Sequence, residues 1–366
     1  MSVAGESTGA GDLSADAVAA VDAGAMAESI VGLGEQLAGG WASAREALEP
    51  FVGQLAATGF DGVAVCGMGG SAIGGDVVAA CVPGLTAPFT VVRGYELPPW
   101  VSSQTLIVAV SYSGDTEETV ACAEWAAARG RRPVCVTTGG RLAELAAREG
   151  LPLVPVAAGL QPRAALGCLT AAVAAALDAA CLVGGLDEQV AEAAHLLCNM
   201  ATVFDPEVDP PVNQAKAVAL ALHGRVPLVY GAGLTAPAAR RWKCELNENA
   251  EMPAFFAELP EADHNEVAGW TAAGELASSV VVVALDDAAG DPRLARRMDA
   301  TLEMVAPRVG AVLRVATRGA SPLARVFSSI YVGDAASLYL AVLNGVDPTP
   351  VTAITRLKAQ LAAPDA

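Results

Sequence analysis

The stretch GVAVCGMGGSAIGGDVVAA, residues 62–80, decides the fold. Its first five residues are a short run of apolar, mostly β-branched or small side chains, the pattern of a strand buried on both faces. The run stops at the glycine loop 67–71, and residues 72–80 can then continue as a helix. Strand, glycine loop and helix in that order open a parallel α/β sheet. Reading downstream, Phe89–Arg93 is a second short strand and Thr105–Val110 a third. The third ends in SYSGDTEET, residues 111–119, and runs into a helix through Ala128. Pro133–Thr137 is a fourth strand, stopping at Gly139-Gly140 before a helix over 142–149, and Leu153–Val156 is a fifth. Upstream, apolar residues recur at helical spacing from Ala15 to about Thr58, which predicts two or three helices broken at Gly39-Gly40 and near Pro50.

After helices predicted over 164–182, 187–204 and 212–223, the pattern restarts. Pro227–Gly231 mirrors the first strand and its glycine turn, Val280–Leu285 mirrors the third, and Ala311–Val315 mirrors the fourth. The expected architecture is therefore α/β: two domains, each a doubly wound parallel sheet flanked by helices. The expected divisions are a disordered lead-in at 1–12, a first domain at 13–186 and a second at 187–366. The halves differ at one loop. Where the first carries Ser111, Ser113, Thr116 and Thr119, the second carries Asp286-Asp287. Acids in place of hydroxyls leave one anion site per chain, expected at the junction of the halves.

Composition narrows the function. The 366 residues are 53% hydrophobic but only 5% aromatic, which suits helices packed on buried parallel strands. With 40 acidic against 22 basic residues the net charge is −18, a surface that repels nucleic acid and anionic lipid. An anionic substrate then needs a local cluster of donors to overcome the field. Eight scattered cysteines form no CxxC pair and no zinc-type spacing, so they read as core thiols in a reducing compartment, with no metal site. The apolar run 164–186 contains Asp178 and is mostly alanine, which favours a buried helix over a membrane span. The opening residues show no basic segment followed by an apolar one, so no signal peptide is expected, and the protein is expected in the cytoplasm.

Several motifs carry chemistry. Hydroxyls at 111, 113, 116 and 119 sit where a strand gives way to a helix, and free backbone N–H groups there favour an anion. The same spacing caps helices, but one hydroxyl suffices for a cap and four can converge on a phosphate. Ser71 would lie beside them at the carboxyl edge of the sheet. Gly67-x-Gly69-x-x-Ala72 also fits a loose dinucleotide fingerprint, but no acid follows within 88–93, so no nucleotide cofactor is expected. Arg163, in the loop after the fifth strand, either holds charge on a substrate or is a surface arginine. Lys358 lies on a short amphipathic helix over 351–361, whose polar face is ordinarily solvated. Glu248, among Glu245, Asn247 and Asn249, reads as a solvated acidic face or as a base. His264, one of three histidines, reads as a loop or capping residue or as a proton carrier near neutral pH.

GMGGS at 67–71, SYSGDTEET at 111–119, PRAALG at 162–167, NENA at 247–250 and LPEADHNEVAGW at 259–270 together resemble the bifunctional phosphoglucose/phosphomannose isomerases, proteins with two sugar-isomerase (SIS) domains. The likeness runs in order from about residue 30 to the C-terminus. It implies a homodimer acting on a hexose 6-phosphate, with no cofactor and no metal. Glu248 would shuttle a proton between C1 and C2, and His264, reaching across from the partner chain, would open the ring. Gly70, Ser71, Ser111, Ser113 and Thr116 would hold the phosphate, Arg163 would stabilise the enediolate, and Lys358 would assist near the ring oxygen. Glu251 stands where the family usually has lysine, placing a second acid one turn from Glu248. A family threonine corresponds to Thr349 or Thr352, and inserts fall around 183–212 and 285–300. A sugar-phosphate sensor is the alternative expectation, although such a sensor needs neither Glu248 nor His264.

Overall fold

The computed structural model describes residues 11–361. Most of the lead-in expected at 1–12 lies outside them, but Leu13 is buried and Ser14 caps the first helix through the Ala17 N–H. Among the described residues four helices open the fold: α1 (Ala15–Val21), α2 (Met26–Val31), α3 (Leu33–Leu48) and α4 (Val52–Thr58). The break expected at Gly39-Gly40 is absent, and α3 runs through both residues. A side chain at Gly40 would come within 2.8 Å of the Cys168 Cα, and one at Gly34 within 2.7 Å of the Ala194 carbonyl. These glycines let other helices approach closely, and that packing outweighs their poor helix propensity.

The first sheet alternates strand and helix: β1 (Gly62–Cys66), α5 (Gly69–Cys81), β2 (Phe89–Val92), β3 (Thr105–Val110), α6 (Glu117–Ala127), β4 (Val134–Thr137), α7 (Gly140–Glu149) and β5 (Leu153–Pro155). All pairings are parallel, in the order β2-β1-β3-β4-β5. Every residue of β1, β3 and β4 is buried, which is why these strands read as unbroken apolar runs rather than alternating ones. After a short 3-10 turn at Pro162–Ala165, α8 (Leu166–Ala179) and α9 (Leu186–Val203) pack against α3.

The second sheet follows α10 (Gln214–Leu222). It contains β6 (Val226–Ala232), α11 (Ala236–Asn249), β7 (Phe255–Leu259), the short helices α12 (Glu266–Gly269) and α13 (Gly274–Ser278), β8 (Val280–Asp286), α14 (Pro292–Val305) and β9 (Ala311–Ala316). Its order, β7-β6-β8-β9, repeats β2-β1-β3-β4, so the internal mirror read from sequence is a mirror of topology. The long α15 (Pro322–Asn344) then runs through the interior, and α16 (Thr352–Leu361) closes the described chain. Among the described residues two helical stretches are long and apolar enough to cross a membrane, 162–179 and 322–344, but an apolar 18-residue window of each is 78% and 89% buried inside the fold. The helix expected over 164–182 is thus an internal one. One core cluster joins both sheets through α3, α8, α9 and α15. The expected division at 186/187 falls at the start of α9, which packs on α3 from one half and α15 from the other.

Candidate functional site

Two loops meet at the carboxyl edge of the first sheet, where β1 and β3 lie side by side. The glycine loop turns at Gly69, whose φ of +49° suits glycine, and launches α5. At the next position a side chain would lie 2.7 Å from the Pro162 carbonyl oxygen and 2.8 Å from the Arg163 Cα. Only glycine at 70 lets the turn carrying Arg163 rest on the loop. Ser71 is buried, and its Oγ accepts from the Tyr112 N–H at 3.2 Å. Across the edge, the buried Ser111 Oγ donates to the Thr116 Oγ1 at 2.9 Å and accepts from the Gly114 N–H at 3.0 Å. Ser113 is exposed beside them, and its Oγ accepts from the Asp115 N–H at 3.3 Å. Thr116 holds the N-cap of α6 without using its side chain to cap. Thr119, counted with this set from its spacing, is buried in the first turn of α6, and its Oγ1 has no hydrogen-bond partner among the described residues.

Beside these loops a cavity of about 220 Å³ is lined by Gly69 and Gly70, by Glu245 and Glu248 of α11, and by five cations: Arg93, Arg163, Arg240, Arg241 and Lys243. Arg93 and Arg240 both pair with Asp76, and Arg241 with Glu245 and Asp334, so among the described residues Lys243 is the lining cation without an ion pair, and an anion entering here competes with those carboxylates. Arg93, Arg240 and Lys243 carry no motif. Their only signal in the sequence is position, at the carboxyl end of a strand or on the helix that bears Glu248. Glu248 stands in the last turn of α11 with its carboxylate partly open, 3.8 Å from the Arg163 guanidinium.

Arg163 is held rigidly. Its Nε donates to the Asn249 Oδ1 at 2.6 Å, and its Nη2 donates to the carbonyls of Pro348 and Thr349 at 2.5 and 2.9 Å. Its own carbonyl accepts from the Arg241 Nη2 at 3.0 Å. Burial draws its pKa down, countered by Glu245 and Glu248. The sequence places Glu245 and Asn249 on a solvated acidic face, but both are buried. Arg241 binds Glu245 at 2.9 Å and Asp334 of α15 at 2.7 Å, which neutralises carboxylates that could not otherwise enter the interior. Burial pushes the Glu245 carboxyl up, to about 8, against the pull of Arg241, and Asp334 is raised by burial as well. Burial also opposes the Arg241 cation, but Asp334 and Glu245 more than offset it, and its pKa is raised.

A family profile described as the bacterial phospho-glucose isomerase C-terminal SIS domain matches residues 211–361. The bifunctional phosphoglucose/phosphomannose isomerase of Caldicellulosiruptor bescii is 38% identical over 339 residues, covering 92% of this chain and 99% of that one. Its counterpart in Aquifex aeolicus is 36% identical, covering 83% and 91%. The chain belongs to the bifunctional phosphoglucose/phosphomannose isomerase family. A D-glucosamine-6-phosphate 4-epimerase of Sulfolobus acidocaldarius is 34% identical over 206 residues, covering 56% of this chain and 62% of that one. Among solved structures, a hypothetical protein of Thermus thermophilus shares the fold at a TM-score of 0.71 and 18% identity, covering 95% and 93% of the two chains.

As a member of this isomerase family the chain shows some of the residues named from sequence together and others apart. Gly70, Ser71, Ser111, Ser113 and Thr116 share one sheet edge, and Arg163 and Glu248 share the adjoining cavity. His264 and Lys358 do not line that cavity within one chain. His264 is exposed at the end of a 3-10 turn, Glu261–His264, that follows β7. The segment is pinned to the second sheet, where Tyr230 donates to Glu266 at 2.6 Å and Trp270 donates to the Tyr230 hydroxyl at 3.2 Å. Lys358 lies on α16, all of whose residues are exposed. Of the two threonines, Thr349 is against Arg163 with its Oγ1 buried, whereas Thr352 is exposed. Glu251 is not on the helix of Glu248. That helix ends at Asn249, and Glu251 follows in the left-handed region at φ +48°, exposed.

Proposed function

We propose that the protein interconverts fructose 6-phosphate with glucose 6-phosphate and mannose 6-phosphate through a cis-enediol. The observation that carries this reading is the Glu248 carboxylate facing the Arg163 guanidinium at 3.8 Å, in a cation-lined cavity that adjoins the hydroxyl loops. Gly70, Ser71, Ser111, Ser113 and Thr116 hold the phosphate, placing C1 and C2 of the open chain beside Glu248. Glu248 takes the proton from C2 of the aldose and returns it to C1, while a proton passes between the two oxygens. Arg163 stabilises the negative charge on the enediolate oxygen. These groups supply base and oxyanion partner themselves, so the reading uses no metal. Returning the proton to either face of C2 yields glucose or mannose phosphate from one intermediate.

Ring opening falls to His264. Its exposure away from its own chain's cavity supports a homodimer in which it enters the partner's site. Lys358 approaches from the C-terminal helix, and Thr349 is the threonine that lines the site. The two SIS domains divide at 186/187, and the enzyme works in the cytoplasm.

Glu248→Gln keeps the shape of the side chain and removes the base. In a coupled assay kcat should fall by about 10²–10⁴ with KM little changed. Isomerisation at the wild-type rate would rule the mechanism out. Stabilisation of the unmodified protein by fructose 6-phosphate without any turnover would instead favour a sensor.

A further inference from the structure

A file of buried polar groups leads to Arg163 from the far side of the fold. Asp334 on α15 binds Arg241, and the Arg241 Nη1 binds the Glu245 Oε1 at 2.9 Å. The Glu245 Oε2 accepts from the Asn249 Nδ2 at 3.0 Å, and the Asn249 Oδ1 accepts from the Arg163 Nε at 2.6 Å. The Asn249 amide cannot flip. Its Nδ2 also donates to the Ser337 Oγ at 2.9 Å, and that hydroxyl is itself committed as a donor to the Asp334 carbonyl at 2.7 Å. Turning the amide over would set its NH2 against a guanidinium. With both amide protons taken by Glu245 and Ser337, the carbonyl must face Arg163.

Stability alone gives little reason for such a file, because buried ion pairs are often matched by well-packed apolar groups of similar volume. The far end is informative. Nε and Nη2 of Arg163 are occupied, and Nη1 remains toward Glu248 at 3.8 Å, beyond hydrogen-bond length. That nitrogen is left for charge that develops between the two residues.

We propose that Glu245 and Asn249 are positioning residues which, acting through Arg163, fix the direction in which its free Nη1 meets the developing oxyanion. The inference rests on the roles given above to Glu248 and Arg163. Four charged groups face Glu245: Arg241 and Glu248 from its own helix, Asp334 from α15, and Arg163 from the first half. One Glu245 oxygen accepts from the Asn249 amide and the other pairs with the Arg241 cation, so its anion holds the amide more firmly than its acid form does. The grip therefore strengthens as pH rises through about 8.

The test uses the full-length protein, with Glu245→Gln and Asn249→Ala compared with wild type and with Glu248→Gln from pH 6.5 to 9. Both relay variants should lose roughly 10- to 100-fold in kcat at pH 9 with KM within about threefold. Affinity for a hydroxamate that mimics the planar enediolate should fall in parallel. The deficit of Glu245→Gln should shrink toward low pH, and that of Asn249→Ala should not. Wild-type kcat in both variants while Glu248→Gln is inactive would defeat the relay and leave the isomerase reading standing. An active Glu248→Gln would defeat the reading itself. Parallel loss of kcat, substrate affinity and thermal stability would reduce the two residues to structural ones. Should Glu245→Gln fail to fold, Asn249→Ala decides alone, since it leaves the Arg241 pairs intact.

Discussion

Replacing Arg163 with lysine keeps a positive charge and removes the fork, which separates two duties of one side chain. The guanidinium makes three short hydrogen bonds, to the Asn249 Oδ1 and to the carbonyls of Pro348 and Thr349, while its Nη1 faces Glu248. An ammonium at the end of a flexible stem cannot satisfy three acceptors fixed around a planar group and still present a donor to the substrate. At least one charge-assisted bond is lost and one buried acceptor left bare, a cost of about 1.5–3 kcal/mol. That corresponds to a melting-temperature loss of about 2–4 °C for a chain of 366 residues. Losing an aimed oxyanion donor should cost about 10²–10³ in kcat, or 2.7–4 kcal/mol. There should also be a mechanical signature. The two carbonyls belong to the segment that leads into α16, so amide exchange at 346–350 should quicken in the variant while that of the first sheet stays unchanged. Coupled kinetics and hydrogen exchange read by mass spectrometry measure both effects. A variant with kcat within twofold of wild type and an equally protected tail would refute both roles.

A side chain at residue 70 would meet backbone atoms of Pro162 and Arg163 at 2.7–2.9 Å, atoms that cannot rotate away. Gly70→Ala should therefore cost about 1–3 kcal/mol and at least tenfold in kcat, while Gly84→Ala, with open space around it, should change neither. Paired melting curves and rates decide it, and an undisturbed Gly70→Ala would mean that the Arg163 turn does not lean on the loop. The Glu245 carboxyl gives a pH test of stability. Its folded pKa of about 8 lies above an unfolded value of about 4.3, so the native state binds the extra proton between those limits. Wild type should lose stability relative to Glu245→Gln as pH rises from about 4 to 8, by at most about 5 kcal/mol, and hold level above that. Urea unfolding at pH 5, 6, 7, 8 and 9 gives the two curves, and parallel curves would show that Glu245 titrates normally.

What the sequence reveals and conceals follows from where each signal resides. The buried strands β1, β3, β4 and β8 announce themselves because both faces are apolar. β7 does not, since it is an edge strand, only partly buried, whose FFAEL neither runs apolar nor alternates cleanly. α15 escapes for the opposite reason, because a helix buried all round has no polar face to give it a period. The hydroxyl loops are legible as local patterns at a strand end. The burial of Glu245 and Asn249 is not, because it depends on Asp334 and Ser337, 93 and 88 positions from their partners, and on Arg163, 86 positions from Asn249. A charge in a helix reads as solvated until the partner that neutralises it is known.

The two halves differ at their sheet edges in a way that fits the single site per chain proposed above. Gly233 repeats the turn of Gly69, with φ of +54° against +49°, and beside it lies a cavity of about 510 Å³ at the edge of the second sheet. The position equivalent to the phosphate loop is occupied by Asp286 and Asp287, bound to Arg314 at 2.7 Å and Arg325 at 2.8 Å. Acids stand in that loop where the first half has hydroxyls, so the second edge disfavours an anion despite its greater room. The helix launched from that turn, α11, instead faces the first half, where Arg241 reaches the Arg163 carbonyl and Asn249 reaches the Arg163 side chain. The second half thus contributes a carboxylate and the means of holding an arginine, and the first contributes the arginine and the anion loop. Neither half carries both, so on the proposed mechanism the rigidity of their junction is a condition of the chemistry and not a by-product of the fold.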